Sequence, residues 1–108
     1  MRVSSSIFPS QNELKALLST AGNKLVVVKF STRWCGPCKD IQPLFNAMVL
    51  QYQNVLFATV DVDDSWELAE TLQIKVIPTF QMFKCNQKIY KLCGADAKTL
   101  EAKIRELM

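Results

Sequence analysis

Leu25-Val26-Val27-Val28-Lys29-Phe30-Ser31-Thr32-Arg33-Trp34-Cys35-Gly36-Pro37-Cys38-Lys39 changes character partway along its length. Its first six residues are apolar and mostly β-branched, the composition of a buried strand. Beyond Lys39, Ile41, Leu44, Phe45, Met48 and Val49 recur at the spacing of one helical face. The two cysteines therefore sit where a strand hands over to a helix. A helix N-terminus carries unpaired N–H groups and partial positive charge, which favour an anion there. A thiolate is the reactive form of cysteine, so Cys35 is placed to be a nucleophile. Cys38, one turn further in, can reach it to close a small disulfide ring.

Zinc sites use the same Cys-x-x-Cys spacing, and a closed zinc site needs a second pair of ligands. The chain has no histidine and four cysteines. The other two, Cys85 and Cys93, match no standard zinc spacing. Redox chemistry is the better reading of the pair, and no metal is expected.

Outward from this stretch, strands fit Leu25 to Phe30, Val55 to Val60, Thr79 to Lys84 and Lys88 to Leu92, with a further N-terminal strand around Arg2 to Ser5. Ser10 with Glu13 makes a capping-box pattern ahead of Leu14, Leu17, Leu18 and Ala21, and Gly22 is a good stop. Pro43 lies inside the second helix, where it predicts a kink. Asp64 and Glu67 repeat the capping box before a short third helix, and Leu100, Ile104 and Leu107 mark the inner face of a last one. Strand–helix–strand repeats followed by two close strands predict an α/β fold, a three-layer α/β/α sandwich around a mixed sheet. A hairpin turn at Asn86-Gln87 would pair Cys85 with Lys88 and set Cys93 opposite Phe80. At about 3.3 Å per residue, Cys85 and Cys93 are then on the order of 16 Å apart, beyond the roughly 7 Å Cα separation that a disulfide tolerates. Both read as small, half-buried thiols, Cys93 standing next to Gly94.

At 108 residues the chain, 1–108, reads as one domain. Apolar residues make up 49% and charged ones 21%, as in ordinary globular proteins. The formal charge of +3 is small and its basic residues are dispersed, which argues against nucleic acid. Residues 1–9 lack the continuous apolar core of a secretory signal, and no run is long enough to insert in a membrane. The cytoplasm is the expected compartment, where a disulfide is catalytic or regulatory.

Around Trp34-Cys35-Gly36-Pro37-Cys38-Lys39 the chain resembles the thioredoxin family. Ala21-Gly22-Asn23-Lys24-Leu25-Val26-Val27-Val28 leads into the site as in animal members. Asp61-Val62-Asp63-Asp64, Ile77-Pro78-Thr79-Phe80 and Cys93-Gly94-Ala95 are similar to three further segments of the family. Tyr52-Gln53-Asn54-Val55, Glu67 through Thr71, Pro78 through Lys84 and Cys93 through Lys98 are similar to a spermatid-specific branch. The resemblance implies a thioredoxin-like sandwich and a protein-disulfide reductase in which Cys35 attacks and Cys38 resolves. Gly36-Pro37 is the family's reducing dipeptide. Ile77–Pro78 is implied to be a cis bond facing the cysteines, with the Ile77 backbone free to pair with an extended substrate. Trp34, Gly36, Pro37, Ile77, Pro78, Gly94 and Ala95 would surround the sulfurs, with Trp34 as a surface lid held by Asp63. Asp61 would be a structural loop residue.

The implied partners are disulfide-containing proteins and an NADPH-dependent thioredoxin reductase, with no cofactor of the chain's own and a monomeric state. The spermatid branch adds male germ cells and the Golgi region. Two departures stand out. Lys29 occupies the place of the family's buried aspartate, so Cys38 is expected to resolve more slowly and with an altered pKa, the bland alternative being that the ammonium snorkels to water. Ser65, Leu72 and Val76 replace regulatory cysteines of animal members. A redox-switched protein-binding module with little turnover is the alternative reading.

Overall fold

The computed structural model describes residues 6–7, 11–64 and 66–108. Its elements follow the order β1 (Ser6–Ile7), α1 (Gln11–Thr20), β2 (Val26–Ser31), α2 (Gly36–Gln51), β3 (Leu56–Asp61), α3 (Trp66–Thr71), β4 (Thr79–Lys84), β5 (Gln87–Cys93) and α4 (Ala97–Leu107). Among the described residues the sheet has five strands in the order β1-β3-β2-β4-β5. β1, β3 and β2 are parallel, whereas β4 is antiparallel to β2 and β5 to β4. The parallel pair β2–β3 needs a crossover, and α2 supplies it.

β2 lies at the centre with both faces covered, which is why Val26, Val27 and Val28 read as an unbroken apolar run. Val27 packs with Phe45, Phe57, Phe80, Leu100 and Ile104 beneath α2 and α4. Val26, Val28 and Phe30 pack on the other face with Leu14, Leu17 and Leu68, beneath α1 and α3. The result is the three-layer sandwich around a mixed sheet that the sequence predicts. Because β4 opposes β2 and β5 opposes β4, the ends of β2, β3 and β5 and the start of β4 share one end of the sheet. Residues 31–38, 61–64, 76–79 and 93–95 therefore converge there.

Several expectations need correction. Leu44 does not join the buried stripe of α2: it is 52% exposed. It borders an open groove beside Ala97, Lys98 and Glu101, whose side chains do not cover it. The hairpin turns at Cys85-Asn86, not Asn86-Gln87. Both residues have positive φ, 54° and 64°, as a two-residue turn of the hairpin-compatible hand requires. The pairing is irregular between Met82 and Phe83: Phe83 faces Lys88 and Met82 faces Tyr90, so Ile89 is the extra residue of a bulge. This sets Cys93 opposite Thr79 rather than Phe80. Both Cys85 and Cys93 are free, as expected, but exposed rather than half-buried.

The expected strand at residues 2–5 and the capping residue Ser10 lie outside the described residues, as does Ser65 directly before α3. Gly22 has φ +63° and ends the first helix as read, since glycine takes that conformation at little cost. Pro43 does not end α2, which continues through it to Gln51.

Candidate active site

β2 delivers the chain to the end of the sheet, and Trp34-Cys35 turn it into α2. Cys35 is the N-cap, with extended φ and ψ of −91° and 114°. Its Sγ accepts a hydrogen bond from the Cys38 N–H at 3.1 Å, so sulfur stands where a capping oxygen would. Pro37 fits the first turn because the N–H it lacks has no helical partner there. Cys35 and Cys38 form a disulfide with Cα atoms 5.2 Å apart. Cys38 is buried, while Cys35 keeps part of its surface open. An incoming thiolate therefore reaches Cys35 and not Cys38. On reduction, the same N–H and the helix end favour negative charge on Cys35.

Opposite the disulfide, Ile77–Pro78 is cis, as the resemblance implies, and the Ile77 carbonyl oxygen lies 3.7 Å from Cys35 Sγ. Gly94 N–H donates to the Pro78 carbonyl at 2.8 Å, tying the end of β5 to this loop. Gly94 has φ +97°, a conformation that strains any residue with a Cβ. The Thr79 hydroxyl donates to the Val76 carbonyl and lies 4.0 Å from Cys93 Sγ. Pro78 itself is buried, so it shapes the loop without offering open surface; Ile77 and Gly94 are half-buried and Ala95 is exposed.

The structure brings Cys35, Gly36, Pro37, Cys38, Ile77, Pro78, Gly94 and Ala95 to one end of the sheet, as expected. Trp34 stands at the surface, where the lid reading puts it, but the tie to Asp63 needs correction. Its side chain is 83% exposed, and among the described residues no hydrogen bond joins it to Asp63. The loop is held by Asp61 instead, whose carboxylate accepts the Asp63 N–H at 2.9 Å and whose carbonyl accepts the Asp64 N–H at 3.1 Å. Asp61 is the structural loop residue that the sequence predicts.

Lys29 does not snorkel. It lies on the central strand, 2% exposed, on the face covered by α2. Its ammonium donates to Gln42 Oε1 and stands 4.6 Å from the centroid of the Phe45 ring. Burial pushes its pKa down to about 8 from 10.5, because removing the ammonium from water penalises the charged form.

Two residues escaped the reading of the sequence. Gln42 takes the Lys29 ammonium and passes a 2.8 Å hydrogen bond on to Asn46; its place four residues after Cys38, on the same helix face, was the available signal. Trp66 opens α3 at the site end of the sheet and is 60% exposed. Such an exposed indole is uncommon away from interaction surfaces.

Comparison with known proteins places this geometry. The family described as Thioredoxin matches residues 7–106. Thioredoxin domain-containing protein 8 from Mus musculus is 54% identical over 121 residues, covering 92% of this chain and 95% of the relative. Thioredoxin from Homo sapiens is 48% identical over 99 residues, covering 92% and 94%. The X-ray structure of Fasciola hepatica thioredoxin superposes with a TM-score of 0.93 at 30% identity, covering 95% of this chain and 99% of that one. With a Cys-x-x-Cys disulfide capping a helix at the end of a matching sheet, the chain is a thiol–disulfide oxidoreductase and belongs to the thioredoxin family.

Proposed function

We propose that this protein is a protein-disulfide reductase, kept reduced by an NADPH-dependent thioredoxin reductase and working in the cytoplasm. The observation that carries the reading is the asymmetry of the disulfide: Cys35 is partly open and caps α2, whereas Cys38 is buried one turn behind it. In the forward reaction the Cys35 thiolate attacks a target disulfide, forms a mixed disulfide and expels one target thiolate. Cys38, deprotonated, then attacks Cys35 sulfur, closes the ring and expels the second target thiolate. The target gains two electrons and the protein loses two, which the reductase returns.

The Ile77 backbone lies beside Cys35 and can pair with an extended target segment. Trp34, Trp66 and Val76 add exposed apolar surface at the same end of the sheet. That surface also suits a second reading, a partner-binding module switched by the redox state. Likeness to thioredoxin domain-containing protein 8 supports a role in male germ cells, with Golgi-region association, as a finer proposal. A monomer acting on many disulfide-containing proteins fits this reading.

The test is insulin disulfide reduction coupled to NADPH and thioredoxin reductase, with Cys35→Ser as the blank. Turnover above the blank supports the reductase. Activity with dithiothreitol alone points to a different recycling partner. Silence in both, with a partner captured in one redox state only, favours the binding module.

A further inference from the structure

Lys29 is a buried cation that the exchange reaction as written does not use. Among the described residues its ammonium has no carboxylate partner, only the Gln42 amide and the Phe45 ring. Those two residues fall four and seven positions after Cys38, on one stripe of α2. At about 1.5 Å of rise per residue, they place the ammonium on the order of 6–10 Å along the helix from Cys38. Two neighbouring recesses lie at these groups. One, of about 260 Å³, is walled by Lys29; the other, of about 470 Å³, by Cys38; and both share Ser31, Thr32 and Gln42.

The charged groups facing this space are few. Arg33 and Asp61 border the recess of Lys29, and Lys39 borders that of Cys38. The strand partners of Lys29, Thr59 on β3 and Phe80 on β4, bring no charge. From α4 the same face receives Leu100 and Ile104. Cys38 and the buried Lys29 thus wall neighbouring recesses that share Ser31, Thr32 and Gln42, and both side chains are buried, where Coulomb interactions are stronger than in water.

We propose that Lys29 is a positioning residue for the resolving step: its ammonium holds Cys38 as thiolate, and reduction of the disulfide raises the proton affinity of Lys29 in return. In the oxidised protein Asp61 borders the recess of Lys29 without an ion pair to it among the described residues. Burial lowers the pKa of Lys29 to about 8, so the ammonium persists near neutral pH and gives way to the amine above it. When a dithiol reductant cleaves the Cys35–Cys38 bond, two electrons enter and each sulfur leaves as a thiolate or takes a proton from solvent. Negative charge on Cys38 then raises the proton affinity of Lys29, and above about pH 8, where the oxidised protein holds the amine, a solvent proton converts it to ammonium. The effect is reciprocal, so the ammonium lowers the pKa of Cys38 by the same factor. Lysine in this place accelerates resolution near neutral pH by supplying thiolate, against the slower resolution expected from sequence. The inference rests on the reading of Cys35 and Cys38 as the exchanging pair.

The test isolates Cys38 as the single thiol, with Cys35→Ala, Cys85→Ser and Cys93→Ser in the full chain, and follows thiolate ultraviolet absorbance against pH. Adding Lys29→Met is expected to shift the thiol–thiolate equilibrium toward thiol by roughly tenfold, and Lys29→Arg is expected to hold it near the parent. Should Lys29→Met fail to fold, Lys29→Gln carries the same expectation. Equal Cys38 titration with lysine, arginine and the neutral side chain would overturn the proposal. The titration needs neither target nor reductase, so a chain that fails the insulin assay still answers it.

Discussion

The Tyr52 hydroxyl donates to Glu101 Oε2 at 2.7 Å while accepting from Arg105 Nε at 2.8 Å. This clamp joins the C-cap of α2 to the middle of α4, across the layer that covers Cys38 and Lys29. Tyr52→Phe keeps the buried ring and removes only the hydroxyl. We expect a stability loss of about 1 kcal/mol with insulin reduction unchanged. Chemical denaturation read beside the activity assay checks both, and an unchanged midpoint would show the clamp to be energetically idle.

Gln81 presents the opposite case. It is fully buried on β4, on the face shared with Val28, and among the described residues neither amide atom has a hydrogen-bond partner. A buried amide left unpaired costs about 1–3 kcal/mol, and methionine is of similar length. Gln81→Met is therefore expected to raise the urea midpoint by an amount equivalent to about 1 kcal/mol or more, with the same denaturant slope. A lower midpoint would mean that the amide is satisfied in solution.

Asp96 caps α4. The Thr99 hydroxyl and backbone N–H both donate to its carboxylate, and these bonds hold its pKa below the usual 3.8. A depressed folded-state pKa stabilises the fold at pH values above the unfolded-state value. That contribution fades as pH falls through the lower, folded one. Asp96→Asn retains a capping acceptor without the charge. The Tm advantage of the parent over this variant is expected at neutral pH and should shrink below about pH 4. An advantage constant down to strong acid would contradict it.

Lys29 gives a dependence of the same sign at alkaline pH, from a burial cost that is relieved rather than a bond that is gained. Its folded pKa, about 8, lies below its ordinary 10.5, so between these values the unfolded chain binds a proton that the folded one has shed. Stability of the oxidised protein is expected to rise across that window, by roughly 3 kcal/mol at most. Lys29→Met should flatten the rise and be the more stable protein at pH 7. Urea unfolding at a series of pH values decides it, and a parent curve that stays flat from pH 8 to pH 10 would refute the burial cost.

What could be read from the sequence was whatever a short stretch determines by itself. Val26-Val27-Val28 needs only its own composition to declare a strand buried on two faces. Cys35-Gly36-Pro37-Cys38 carries its cap, its proline and its resolving thiol within one turn. The misreadings came where a distant element decides. Leu44 has the right period for the core, but the path of α4 leaves it uncovered. The hairpin turn could not be fixed without the bulge at Ile89, which offsets the register by one residue. Lys29 looked free to reach water because Gln42 and Phe45, which enclose its ammonium, belong to the next element. Trp66 announces nothing until α3 brings it to the end of the sheet where Trp34 stands.

The sheet also gives the molecule a working end and a handle. The Cys85-Asn86 turn closes the hairpin at the end opposite the disulfide. β4, with 6 residues, separates the two by about 20 Å. Cys85 is exposed and free there. With Cys93 replaced, a label or tether attached to Cys85 would sit one strand length from the reacting sulfurs. The protein could then be held, immobilised or tracked by that thiol while the other end went on exchanging disulfides.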